Sequence, residues 1–595
     1  MLLKIIFCTK RYRPVQSSPK GNRLFNSPNL YSLRFIIALT SIILMQSSHG
    51  QTVRDDVGYT ALLNEMGADT PNAAGMSIGI IEPAFVGRDN PEVLAWLPNL
   101  DYTNPKISQV TMNDASGGST FDSGHSSEVS KYIFGQDIGL ANGITEADYY
   151  NLSDFIYSKL IPLTNYVGPS QPNALLYSLG AKVFNNRINN FSSISSEVEN
   201  NPALLRRFDW ATSHEDVINI VSAGNRSRSP VLFGSSYNSI YIGITSGSSG
   251  KVAAVVDNLY NGARQRPDVV SPIRNTSYGT AVASSITAVL LDTARNTAAT
   301  FSNSSPSNMG VNTRHAEKSE VVKAVLMAGA DRVTSNTREN DFLKDEDFVA
   351  IRDEDGKVIR FIGDITDYRA EGFTTNNGLD SRFGAGQANA FNSYKIMTAG
   401  EQDSQEDGGN TSVSLLGFDY DEAFGNGGGD ANPNSVASYL LPTLTSDANL
   451  DVTLAWNLDV YSGDGLFINA MLYDLDLWLY DVTDTKEVLV NASTSSFDNT
   501  ETISQLLSAG RDYEFRVTTE KNVTALLWDY GIAWRVDQEP ADITEPLALT
   551  SSQVGASASS FSASSVPVPS TLILFISGLG ALLLKQRAQR KTVKQ

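Results

Sequence analysis

Cysteine is all but missing: Cys8 is the single cysteine of 595 residues. Beyond residue 8 no disulfide, thiolate metal site or cysteine nucleophile can exist, so stability has to come from packing. Histidine is scarce as well, four in all, which leaves few positions for a general base. Positive charge is in deficit: 45 Lys and Arg stand against 65 Asp and Glu, a net of −20. A phosphate backbone needs a basic counter-surface, which excludes nucleic acid as the expected partner. Calcium loops of the Asp-x-Asp-x-Asp-Gly kind are absent too. Asp474 and Asp476 interleave with Leu475, Leu477 and Leu479, the pattern of a strand with one solvent face. What remains is ordinary: 41% hydrophobic residues describe a globular chain, and the length allows two or more domains with sizeable cores.

The two ends differ from the middle. Residues 1–34 carry Lys4, Lys10, Arg11, Arg13, Lys20, Arg23 and Arg34 and no acid. A mainly apolar stretch at 35–45 follows, then the small residues Ser48 and Gly50 before Gln51. This order of charge, apolar core and small residues predicts a secretory signal over residues 1–50. The apolar run is short for a membrane span. At the other end, residues 538–565 form a linker that is Ser/Ala-rich from 551. It leads to a Val-Pro-Val-Pro motif at 566–569, an apolar run at 571–584, and a tail with Lys585, Arg587, Arg590, Lys591 and Lys594. The segment 566–595 resembles a PEP-CTERM sorting signal, whose usual motif is V-P-E-P; Val568 replaces the glutamate. The resemblance implies a short transmembrane helix before processing, a basic end kept in the cytoplasm, and a C-terminal sorting enzyme as partner. It also implies an exported protein, in the cell envelope or secreted, in a Gram-negative bacterium. A plain C-terminal anchor is the alternative.

Chemistry concentrates in the middle. Residues 266–272 (RPDVVSP) and 275–283 (NTSYGTAVA) put Ser277 at the mouth of a small-residue helix. A helix leaves its first backbone N–H groups free to hold an oxyanion, so Ser277 is a candidate nucleophile. No G-x-S-x-G surrounds it. Three histidines follow the signal segment. His125 lies in DSGHSSEV (122–129), His214 in a polar helix-like stretch, and His315 in a loop-to-helix region with no pattern. The apolar run at 76–81 (MSIGII) predicts a buried parallel strand ending at Glu82. Residues 216–225 (DVINIVSAGN) predict another, running into Asn225.

Over about residues 70–400 these blocks resemble the subtilases, the subtilisin-like serine peptidases. The Ser277 block is similar to that family's nucleophile block, usually G-T-S-x-A-x-P. His125 is similar to the histidine of its H-G-T block, and Asn225 to the asparagine of its A-A-G-N strand end. The order acid, His, Asn, Ser is the subtilisin order. Residues 318–330 resemble the helix after the nucleophile helix, and 383–390 the closing G-x-G block. The resemblance implies an α/β domain over 51–400, a subtilisin-like parallel sheet flanked by helices. It implies catalytic Glu82, His125 and Ser277, with Asn225 and the Ser277 backbone N–H as oxyanion donors. A protein or peptide substrate would pair with strand edges near residues 183–185 and 222–224. Calcium, which the family often binds, is the cofactor it admits. The departures are Glu82 for the usual Asp, Ser126 and Ser127 for Gly and Thr, Asn275 for Gly, Gly279 for Ala and Ala281 for Pro. Asn275 is expected to adopt the φ > 0 that a glycine would.

From about 410 to 537, short alternating strands at 451–456, 475–480, 513–517 and 530–535 predict an all-β sandwich. The expected function is an exported serine endopeptidase working through an acyl-enzyme. The alternative is a catalytically inactive envelope protein of the same fold that binds peptide or polysaccharide.

Overall fold

The computed structural model describes residues 52–538 apart from intervening stretches, of which 157–173 and 178–201 are the longest. Both predicted sorting segments, the linker and the strand edge expected at 183–185 lie outside the described residues. Among those described, no helix is long and apolar enough to cross a membrane.

The first half is an α/β layer. Seven strands form one sheet: β1 (Ser77–Glu82), β2 (Thr111–Asp114), β3 (Glu146–Asn151), β4 (Ala174–Tyr177), β5 (Ile218–Ser222), β6 (Ile240–Ile244) and β7 (Val269–Ser271). Their spatial order is β7-β6-β5-β4-β1-β3-β2, and every neighbouring pair is parallel. Continuous rather than alternating burial of β5, β6 and β7 explains their unbroken apolar runs: helices cover both faces. One of the two strands beside β1 is Ala174–Tyr177, which ends six residues before the segment singled out in the sequence.

Five helices position the site and its support: α1 (Gly124–Phe134), α2 (Pro202–Glu215), α3 (Thr276–Asn296), α4 (Ser319–Ala328) and α5 (Ala390–Ala399). Helix α3 is buried along nearly its whole length, and most of its threonine hydroxyls are satisfied within the helix. Thr280, Thr287 and Thr293 each donate to the carbonyl four residues back, at 2.8, 3.0 and 2.8 Å. Strand β7, which feeds α3, is pinned by the closing segment 384–388. Val270 N–H donates to Gly386 and Ala388 N–H donates back to Val270, both at 2.9 Å. Gly384 makes this approach possible: at φ +62° an added Cβ would lie 2.3 Å from the Pro267 carbonyl.

The second half is an antiparallel sandwich of β8 (Leu416–Gly425), β9 (Val436–Leu440), β10 (Ala448–Ala455), β11 (Leu475–Asp481), β12 (Val488–Ser493), β13 (Thr500–Leu507), β14 (Tyr513–Thr519) and β15 (Leu527–Gln538). One sheet has the order β8-β15-β10-β13 and the other β9-β14-β11-β12. Strand β11 alternates strictly, with Asp476 on the partly exposed face as its spacing predicts. Strand β10 departs from alternation and is buried on both faces, because its sheet is covered on the outside by α4. Contact there is close: a Cβ on Gly531 of β15 would sit 2.5 Å from the Val321 backbone nitrogen.

The polar residues of β10 on that face are therefore interface residues. Asp451 accepts from Arg332 Nε at 3.2 Å and from Arg535 Nη2 at 3.1 Å, with all three side chains buried. Asp451→Ala would leave the buried Arg332 guanidinium without its carboxylate, while Arg535 would keep Asp537 and the Ala330 carbonyl. It is expected to lower unfolding stability in urea by about 3–5 kcal/mol, with the α/β layer and sandwich melting together. A loss below about 0.5 kcal/mol would contradict this role for the cluster.

Candidate active site

In an open parallel sheet, ligand-binding groups gather beyond the carboxyl ends of the strands. Four of the residues singled out by sequence lie at such ends or on the helices that follow. Glu82 is the last residue of β1 and is fully buried. His125 sits in the first turn of α1, whose start is fixed by Ser123 accepting from the Ser126 backbone N–H. The structure brings these two together: His125 Nδ1 lies 2.7 Å from Glu82 Oε2. The imidazole keeps 19% of its side-chain surface exposed while the carboxylate keeps none. With the carboxylate ionised, Nδ1–H donates to it and Nε2 carries the lone pair of a base. Burial pushes the Glu82 carboxyl above its usual range, and the charge and hydrogen bond of His125 oppose that push. Glu82 thus relies on His125 for its charge, and His125 relies on Glu82 for its tautomer.

Asn225 and Ser277 are joined through Thr276. The Asn225 Oδ1 accepts from the Thr276 backbone N–H at 2.8 Å and from its hydroxyl at 3.0 Å. Ser222 at the end of β5 donates to the same hydroxyl oxygen at 2.8 Å. The asparagine oxygen is committed, so its NH₂ is the end left to meet a ligand. Ser277 is the second residue of α3, and its hydroxyl is buried with no hydrogen bond to any described residue. The next residue ties the nucleophile helix to the histidine helix. The Tyr278 ring stacks on Tyr132 of α1 at 5.3 Å and lies 6.0 Å from the His125 ring.

Two expectations are corrected. Asn275 does not take a glycine-like conformation; the only non-glycine residues with positive φ among those described are Ala73 and Phe233. Asparagine stands there as a helix cap instead, its Oδ1 accepting from the Ser277 backbone N–H at 2.9 Å. It follows that the Ser277 N–H, expected to be a free oxyanion donor, is occupied.

The remaining histidines separate cleanly. His214 lies on α2, and its side chain falls outside the described residues. His315 has both nitrogens engaged, Nδ1 with Glu401 at 2.5 Å and Nε2 with Glu422 at 2.7 Å, so it serves as a structural bridge. Nothing near His315 in sequence signals this, because its partners lie 86 and 107 residues away. Glu401, Asp403 and Asp419 could together face a cation. Two of them already accept hydrogen bonds, Glu401 from His315 and Asp419 from the Tyr439 hydroxyl. They belong to the acidic lining of the same bridge, and no catalytic step is routed through a metal there.

No protein-family model matches the sequence, and no curated protein matches it. Solved structures give low-scoring likenesses. Tripeptidyl peptidase 2 is similar at 9% identity over 69% of this chain and 40% of its own, with a TM-score of 0.25. The pre-peptidase C-terminal domain of collagenase from Bacillus anthracis is similar at 12% identity over 21% of this chain and 93% of its own, TM-score 0.15. The lysozyme inhibitor PliG of Salmonella Typhimurium is similar at 12% identity over 22% of this chain and 99% of its own, TM-score 0.13. At these scores none of the three assigns a function.

Proposed function

We propose that this chain is an exported, subtilisin-like serine endopeptidase that cleaves protein or peptide substrates through an acyl-enzyme. The observation that carries the reading is the buried Glu82 carboxylate held 2.7 Å from His125 Nδ1, on a histidine whose ring packs against the neighbour of a buried serine. In this reading Ser277 Oγ attacks the scissile carbonyl carbon while His125 Nε2 takes the hydroxyl proton. Glu82 holds the imidazole in the tautomer with Nε2 free and stabilises the imidazolium that forms. The Asn225 amide donates to the oxyanion. As the tetrahedral intermediate collapses, the imidazolium returns the proton to the leaving amine. Water then enters by the same route and releases the acid product and free Ser277. The signal-like and tail segments are the basis for proposing export and C-terminal sorting.

One observation favours a non-catalytic, peptide-binding or polysaccharide-binding envelope protein instead. The backbone donor of Ser277 is capped and its hydroxyl is unbonded. Hydrolysis separates the two readings: the purified protein should cut an unfolded protein substrate, and the Ser277→Ala variant should not. Binding without cleavage by both would favour the rival.

A further inference from the structure

We propose that Asn275 is a gate on the oxyanion site: its side chain caps the nucleophile helix at rest and must leave the Ser277 N–H before acylation. The inference rests on the serine-peptidase reading above and adds a regulatory step to it. An oxyanion is stabilised by donors about 2.7–3.1 Å away, aimed at where the charge develops. At the Ser277 N–H that position is taken by Asn275 Oδ1, at 2.9 Å. One N–H cannot serve two acceptors at full strength, and a carbonyl oxygen there repels an incoming oxyanion.

Two neighbouring donors of the helix start are held as well. The Thr276 N–H is held by Asn225 at 2.8 Å, and the Gly279 N–H closes the first helical bond to the Asn275 carbonyl at 2.8 Å. The resting helix start is thus well capped, while the Ser277 hydroxyl beside it makes no hydrogen bond to a described residue. Asn275 is half-buried and follows the exposed Arg274, so its side chain has solvent on one side into which it can rotate. Release exchanges one capping bond for one bond to the oxyanion. Two donors, Asn225 Nδ2 and the freed Ser277 N–H, then face the reacting carbonyl oxygen. Acylation itself is unchanged in its balance: Ser277 Oγ bonds to carbon, and its proton goes to His125.

The gate predicts opposite effects of substitution on rate and on stability. Glycine is a tolerated cap residue that removes the competing oxygen, whereas aspartate caps more strongly and adds a negative charge beside the oxyanion. With a fluorophosphonate as the probe on the full chain, Asn275→Gly is expected to phosphonylate Ser277 about five- to ten-fold faster, the rate equivalent of one lost cap. Asn275→Asp is expected to react about ten-fold slower or less, yet to melt no lower than the parent. Asn275→Asp retains the cap and with it the fold, so the proposal is testable on that variant alone. A purely structural asparagine would make rate follow melting temperature, and either that result or rates within two-fold of the parent would overturn the gate. If the parent reacts but the variants behave alike, the gate alone falls. If neither the parent nor Asn275→Gly forms an adduct at Ser277, the peptidase reading falls and the gate with it.

Discussion

Ser277→Ala and His125→Ala are each expected to reduce peptide hydrolysis by about 10⁴- to 10⁶-fold, and the double variant to be little worse than either single one. In the proposed mechanism the two residues act as one device. Without the hydroxyl, the imidazole has no proton to take; without the imidazole, the buried hydroxyl, which makes no hydrogen bond to a described residue, loses the base that the mechanism assigns to it. Additive losses would mean that the two act separately. Stability gives a useful control. Ser277 Oγ makes no hydrogen bond to a described residue, so Ser277→Ala should leave the melting temperature unchanged or slightly raised. His125→Ala should lower it, because the fully buried Glu82 would lose the one histidine that offsets its charge.

Glu82→Gln is expected to cost about 10⁴-fold in turnover with little change in substrate affinity. A glutamine oxygen could still accept from Nδ1–H, but its amide can equally present an N–H to that nitrogen and hold the wrong tautomer. Charge matters as well: the imidazolium formed during acylation is stabilised by a carboxylate that has no competing solvent. Glu82→Asp separates the two effects. It keeps the charge but shortens the side chain by one methylene, drawing the oxygen back from the 2.7 Å contact. An intermediate loss, on the order of 10²-fold, is expected for an acid of the right kind at the wrong reach. Kinetics of the two variants beside the parent measure both. Full activity of Glu82→Gln would remove Glu82 from the mechanism.

The strands of the sheet were legible in the sequence because they rest on local patterns, whereas pairing Glu82 with His125 followed from the resemblance to the subtilase order; the two lie 2.7 Å apart. The run at 76–81 is apolar without alternation, and that is possible only for a strand covered on both faces. Asn225 was legible for a similar reason, at the end of another such run. What sequence could not show is what lies across long separations. Strand β10 reads as one of the alternating strands, yet it is buried on both faces because α4, more than a hundred residues earlier, covers it. His315 looked patternless because its two glutamates come from the segment after α5 and from β8. Asn275 is the instructive error. Asparagine where the subtilase pattern has glycine suggests a shared backbone conformation, but asparagine is also a strong helix cap, and the capping role won. A residue type with two physical uses cannot be assigned to one of them without its partner.

The account stands most directly on whether Ser277 is an activated nucleophile, and intact-mass analysis after fluorophosphonate treatment measures that. The account predicts one covalent adduct per chain, mapped to Ser277, absent in Ser277→Ala and strongly slowed in His125→Ala. A folded parent protein that stays unmodified, or an adduct that persists in Ser277→Ala, would contradict it.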